Sequence, residues 1–233
     1  MTADPQTAST ALFDLDGTIT DSARGIVDCF VHALETVGAS RPSDELVRRV
    51  VGPPILHTFR QLGLDGARLR LARAAYRERY DDRGWVQNAV YPGMPELLGR
   101  LSNSGVTLAV ATSKNERTAR KILRHFDLDR YFAFIGGAGD DDVRTRKADV
   151  IAHTLKAVGR SPAPAGVGAT PRVVMVGDRS HDVEGAARFG IPTVLVTWGY
   201  GALDEHRSAW WTVSTPDELG HLLEPLLAES AAA

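Results

Sequence analysis

The stretch Ser9–Ala23, STALFDLDGTITDSA, sets two carboxylates, Asp14 and Asp16, at the end of an apolar run that otherwise reads as buried. Ala11, Leu12 and Phe13 have the unbroken apolar character of a strand covered on both faces of a parallel sheet, and Gly17 breaks that strand into a turn. The two acids therefore fall at a strand's C-terminal end, the edge at which open α/β sheets bind ligands. Like charges held this close are costly unless a cation or hydrogen bonds compensate them, so a divalent metal is the first compensation to look for. The alternative is that Asp16-Gly17 serves only as turn chemistry, and the rest of the chain has to decide.

Downstream, no strand pattern interrupts Ser22 to Asn88. SARGIVDCFVHALETVG places Ile26, Val27, Phe30, Val31, Leu34 and Val37 on one helical face, with Ser22 as N-cap and Gly38 as stop. SDELVRRVVGPPILHTFRQLG reads as two short helices broken at Gly52-Pro53-Pro54, and ARLRLARAAYRERYDDRGW as another with Leu69, Ala72 and Tyr76 on one side. Residues 22–90 are thus an all-helical insertion. Beyond Gly93 the chain alternates helix with strand, which argues for βαβ units. The strands are VTLAVATS, YFAFIGG, VVMVGD, TVLVTWG and a short one at Thr212-Val213; RSPAPAGVGATPR reads as a flexible surface loop. The expected fold is α/β, a Rossmann-like, mainly parallel sheet flanked by helices. Its core is built from residues 10–21 and 91–229, behind a disordered tail at 1–9.

At 233 residues and 43% hydrophobic content the chain has enough apolar material for a sizeable core. Lys and Arg total 27 against 29 Asp and Glu, a net charge of -2, so nothing in the charge balance points to a nucleic acid polymer or an acidic membrane. Cys29 is the only cysteine, which excludes an intramolecular disulfide framework and a multi-cysteine zinc site and fits a reducing compartment. There is no signal-like N-terminal segment and no apolar run of membrane-spanning length, so a cytoplasmic location is expected. The seven histidines include no HExxH pair and no Walker-type glycine loop is present, which leaves zincin and P-loop chemistry without support.

Three further element ends carry polar residues. LAVATSKNE finishes at Thr112-Ser113 before a helix start, where N-capping is the common use of a hydroxyl pair. VVMVGDRSHD ends at Asp178, with Asp182 about one helical turn on. Lys147 opens the helix KADVIAHTL, where a cation opposes the helix dipole, a misfit that hints at function.

Taken in order, DLDGTITD, Thr112-Ser113, Lys147 and GDRSHD resemble the four motifs of the haloacid dehalogenase superfamily, over Leu12 to about Gly201. YPGMPELLGRL and VGDRSHDVEGAARFGIPTVLVTWGYG are similar to its phosphoglycolate phosphatase and 5′-nucleotidase branch, and the helical insertion to that branch's cap domain. The resemblance implies a Mg²⁺-dependent phosphatase acting on a small phosphorylated metabolite, as a monomer or homodimer, without nucleic acid or membrane partners. It makes Asp14 the nucleophile that forms an aspartyl-phosphate and Asp16 the acid/base. Asp14, the carbonyl of Asp16, Asp178 and Asp182, directly or through water, become the metal ligands, and Thr112, Ser113 and Lys147 the phosphoryl site. Arg48, Arg49, Ile55 and His57 become candidate substrate contacts from the cap. Asp16 and Asp178 count against a dehalogenase. Apolar Ile55, where a mutase or phosphonatase places a basic residue, leaves a β-phosphoglucomutase-like transferase as runner-up, with a non-catalytic binding protein of the same fold as the third reading.

Overall fold

The computed structural model describes residues 9–43, 46, 50, 51, 55–140, 143–163, 172–202 and 204–228. The chain divides into two compact units, one made of Met1–Ile19 with Val90–Ala233 and the other of Thr20–Ala89.

The first unit is built on a six-stranded sheet. Its strands are β1 (Thr10–Phe13), β4 (Thr107–Asn115), β5 (Phe134–Ala138), β6 (Val173–Gly177), β7 (Thr193–Val196) and β8 (Trp211–Val213), in the order β5-β4-β1-β6-β7-β8. Every pairing is parallel. The earliest strand is thus central: Phe13 stands opposite Val110 on one side and Val176 on the other. A central parallel strand is covered on both faces, which is why β1 is apolar at every position but its first. On one face Leu12, Ala109, Ala111 and Met175 pack with Val150, Ile151 and Leu155 of α6 (Lys147–Ala157) and Ala186 of α7 (Ser180–Ala187). Helices α4 (Met94–Asn103) and α8 (Pro216–Ala228) pack against each other and bury Leu97, Leu98, Leu101, Leu219 and Leu223, while α5 (Glu116–His125) lies on β4 and β5.

The second unit contains α1 (Ala23–Thr36), α2 (Ile55–Gln61) and α3 (Gly66–Arg79), which runs on through a π-helical turn at Tyr80–Gly84. The short strands β2 (Thr20–Asp21) and β3 (Ala89–Val90) pair where the chain enters and leaves it. Its core stacks Phe30 on Phe59 and Tyr76 on Tyr80. Helix α1 stops as its sequence suggests. Gly38 takes a φ of 62°, its N–H bonds the Glu35 carbonyl and the next N–H bonds Leu34, the paired closure that only a left-handed residue permits.

Two local expectations are corrected. Ser22 occupies the N-cap position of α1 but its hydroxyl makes no capping bond; the Asp21 carboxylate accepts from Ala23 N instead. Thr112-Ser113 does not cap a helix either, because β4 continues to Asn115, whose side chain accepts from Thr118 N. Arg48, Arg49, the Gly52-Pro53-Pro54 break, the tail at 1–8 and residues 164–171 of the Pro/Gly-rich stretch lie outside the described residues.

Candidate active site

Asp14 follows directly on β1: its N–H still bonds the Val176 carbonyl at 2.8 Å, so the strand's ladder fixes its backbone. Leu15 turns into the core at 0% exposure, which leaves the acids two residues apart on the other side of the chain. The turn that follows needs Gly17. Its φ is 82°, and a Cβ there would lie 2.1 Å from Asp178 Oδ2, so the close approach of β1's loop to the end of β6 admits no side chain.

Lys147 is not a solvated helix-start lysine. Its side chain is 3% exposed, with Nζ 3.0 Å from Asp14 Oδ1 and 2.6 Å from Asp182 Oδ1. The ammonium thus stands between two carboxylates, one from the end of β1 and one from α7. Burial pushes the Asp14 carboxyl up, but Lys147, His181 and hydrogen bonds from Lys147 and Thr112 outweigh it and hold the carboxyl below its ordinary value. Burial likewise pulls Lys147 down, and Asp14 and Asp182 more than restore it. The pair is ionised at neutral pH.

Asp178, at the tip of β6, is in the opposite condition. It is fully buried, Oδ2 accepts from Tyr200 N at 2.7 Å, and Oδ1 has no hydrogen-bond partner. Burial first, then repulsion from Asp182 and Asp14, pushes its carboxyl well above the usual range. Asp182 sits in the first turn of α7, where its Oδ2 accepts from Arg179 N at 3.1 Å.

Thr112 is buried and accepts from Lys114 N at 3.2 Å, in a stretch where the β4–β5 register shifts between Ala111 and Asn115. Such bulges re-aim side chains beside sites. Ser113 is half-buried on the same strand. Two neighbours were missed in the sequence reading. Lys114 Nζ lies 2.7 Å from Asp16 Oδ2, both side chains mostly buried, and His181 offers a ring nitrogen within 4.8 Å of Asp14 and Asp182 carboxylate oxygens. A lysine directly after the hydroxyl pair and a histidine directly before the last acid were the available signals. Asp14, Asp16, Thr112, Lys147, Asp178 and Asp182 are thus gathered at one edge of the sheet. Half-buried Ile55 and exposed His57 belong to α2 in the helical unit.

The cluster Asp14, His181 and Asp182 has the composition of a metal site, but the Lys147 ammonium already sits against both of its acids. Asp178 adds a further buried carboxylate, with one oxygen lacking a hydrogen-bond partner, and such hard oxygen donors are the kind a divalent cation takes.

The family model described as haloacid dehalogenase-like hydrolase matches residues 11–196. The chain is 52% identical over 193 residues to the tyrosine-protein kinase PtkA of Mycobacterium tuberculosis, covering 83% of this chain but only 63% of that relative's length. It is 42% identical over 198 residues to a 5′-nucleotidase of Pseudomonas aeruginosa, covering 84% of this chain and 86% of that one. A crystal structure described as a predicted phosphatase from Clostridium acetobutylicum superposes with a TM-score of 0.84 at 32% identity, over 94% of this chain and 99% of that one.

Proposed function

The chain belongs to the haloacid dehalogenase-like hydrolase family, and on that premise we propose that it hydrolyses a small phosphomonoester, with Mg²⁺, through a phosphoryl group carried on Asp14. The observation that supports this reading most is the pairing of an ionised, strand-anchored carboxylate, Asp14, with the buried Lys147 ammonium. A nucleophile of this kind divides hydrolysis into two easier displacements.

In the first, an Asp14 oxygen attacks phosphorus and the ester P–O bond breaks, while Asp16 donates its proton to the leaving oxygen. In the second, Asp16 takes a proton from water, the water oxygen attacks phosphorus, and the Asp14–phosphoryl bond breaks, returning the free carboxylate. Lys147 and the Thr112 hydroxyl hold the phosphoryl oxygens throughout, where fixed donors in a buried setting act most strongly. Lys114 holds the Asp16 carboxylate in place between the two transfers. Asp14, Asp178 and the Asp16 carbonyl would hold Mg²⁺, with Asp182 alongside. Bound there, the ion would neutralise Asp178 and supply positive charge to the transferring group.

The 5′-nucleotidase relative supports a nucleotide-like or similarly small ester as substrate. A second reading, favoured by the 52% identity to PtkA, replaces water by a tyrosine hydroxyl as the final acceptor. Phosphate release from a panel of phosphorylated metabolites, with and without Mg²⁺, tests the first reading. Transfer of label from γ-labelled ATP to tyrosine peptides tests the second. Full turnover after exhaustive chelation, or unimpaired turnover of Asp14→Asn, overturns the mechanism.

A further inference from the structure

Glu205 takes no part in the chemistry above, yet it is tied to the residues that do. It opens a short helical turn at Glu205–Ser208. Its carboxylate accepts from Ser180 N at 2.7 Å, from Ala202 N at 3.1 Å and from Arg179 Nε at 3.2 Å on each oxygen. Ser180 is the first residue of α7 and Arg179 precedes it, so one side chain grips the turn that joins Asp178 to Asp182. The grip extends to both acids. The Arg179 N–H holds Asp182 Oδ2, and Tyr200, whose N–H holds Asp178 Oδ2, lies two residues before the Ala202 that Glu205 also binds. Capping α7 would need only the bond to Ser180; binding a second backbone segment as well is what a cap alone does not require.

We propose that Glu205 is a positioning residue for the metal-binding acids, clamping the 178–180 turn to the 200–202 segment so that Asp178 and Asp182 are held ready for Mg²⁺. The inference rests on the reading that Asp178 carries the ion. Outer partners that orient ligands typically change metal affinity about 10- to 100-fold when removed.

The test uses the full chain freed of metal, with Mg²⁺ titrated in by calorimetry. Glu205→Ala should weaken Mg²⁺ binding about 10-fold or more. The Mg²⁺ needed for half-maximal turnover should rise by the same factor, while kcat at saturating Mg²⁺ stays within about two-fold. Arg179→Met, which keeps the backbone bonds and removes the charge pairing, and Glu205→Gln, whose single amide oxygen keeps at most one of the two backbone bonds, should fall between, and they carry the test if Glu205→Ala does not fold. Glu224→Ala, which breaks the exposed pair with Arg100 on α4 and α8, should leave Mg²⁺ affinity unchanged. A Glu205 variant that melts earlier but binds Mg²⁺ as tightly as the wild type overturns the proposal. A wild type that binds no Mg²⁺ overturns it together with the metal reading.

Discussion

Replacing Lys147 by Met keeps most of the stem and removes the charge, which isolates the ammonium's contribution. The side chain is 3% exposed and faces two carboxylates at 3.0 and 2.6 Å, so the variant leaves both acids buried without their cation. Breaking a buried ion pair from one side costs about 3–5 kcal/mol, and with two acids abandoned the upper end applies. For a chain of this size about 2–4 °C of melting temperature accompanies each kcal/mol, which gives a deficit on the order of 10–20 °C at pH 7 without metal. The deficit must depend on pH. In the wild type Asp14 is held below its ordinary value, a contribution present at neutral pH and lost as pH falls through that lowered value. In the variant burial acts alone and raises Asp14, so ionising it costs stability that returns on acidification. The two melting curves should therefore converge as pH is lowered from 7 towards 4. Calorimetry on metal-free protein across that range measures it, and turnover of the variant should fall by about 10²–10³ for want of a phosphoryl donor. A deficit at pH 7 that is absent, or one that is unchanged at pH 4, would refute the assignment of Lys147 as the counter-charge of this cluster.

Lys114→Met frees the Asp16 carboxylate and should slow alkyl esters, whose leaving oxygen needs a proton, more than aryl phosphates; an equal loss on both refutes a role in proton transfer. Glu205, raised by burial but lowered further by Ser180, Ala202 and Arg179, has its carboxyl at about 2 rather than 4.5. Its contribution is present above pH 4.5 and lost towards pH 2, so the stability gap to Glu205→Gln, about 1–2 kcal/mol after solvent screening, should narrow in that window. Gly17→Ala should cost about 1–2 kcal/mol for its positive φ and displace Asp178, so that Mg²⁺ affinity and melting temperature fall together; a fall in stability alone refutes the close approach. Arg49→Ala and Ile55→Ala should change kcat/KM unequally across a substrate panel, and a uniform factor for every ester sinks the idea that these residues choose the substrate.

The strands were legible because a parallel sheet covered on both faces needs continuous apolar runs, and Leu12, Ala109 and Met175 lie on adjacent strands of one core face. Helix α6 was legible for the same reason, from Val150, Ile151 and Leu155. Lys147 was conspicuous because a cation at a helix start contradicts the dipole. Lys114, His181 and Glu205 were not, because a lysine, histidine or glutamate on a polar stretch has the same local pattern whether it meets water or a buried acid. What separates the cases is a contact across elements, such as the 2.7 Å between Lys114 and Asp16. The same limit explains Ser22 and Thr112: cap preference is a local rule, and the Asp21 carboxylate and the continuation of β4 to Asn115 displaced it.

The central place of β1 has a bearing on how the protein is made. Its partners are Thr107–Val110 and Val173–Val176, so this apolar segment waits for the last of its neighbours until residue 176 has been translated. At roughly 5–20 residues per second that interval is on the order of ten to thirty seconds. During it the helical unit, contiguous from Thr20 to Ala89, has all the chain it needs to fold, while Ala11, Leu12 and Phe13 do not. A nascent chain stopped short of Val173 should therefore be partly protease-resistant yet leave β1 open on the edge that β6 will cover, the form most easily captured by a holding chaperone or by another copy of itself.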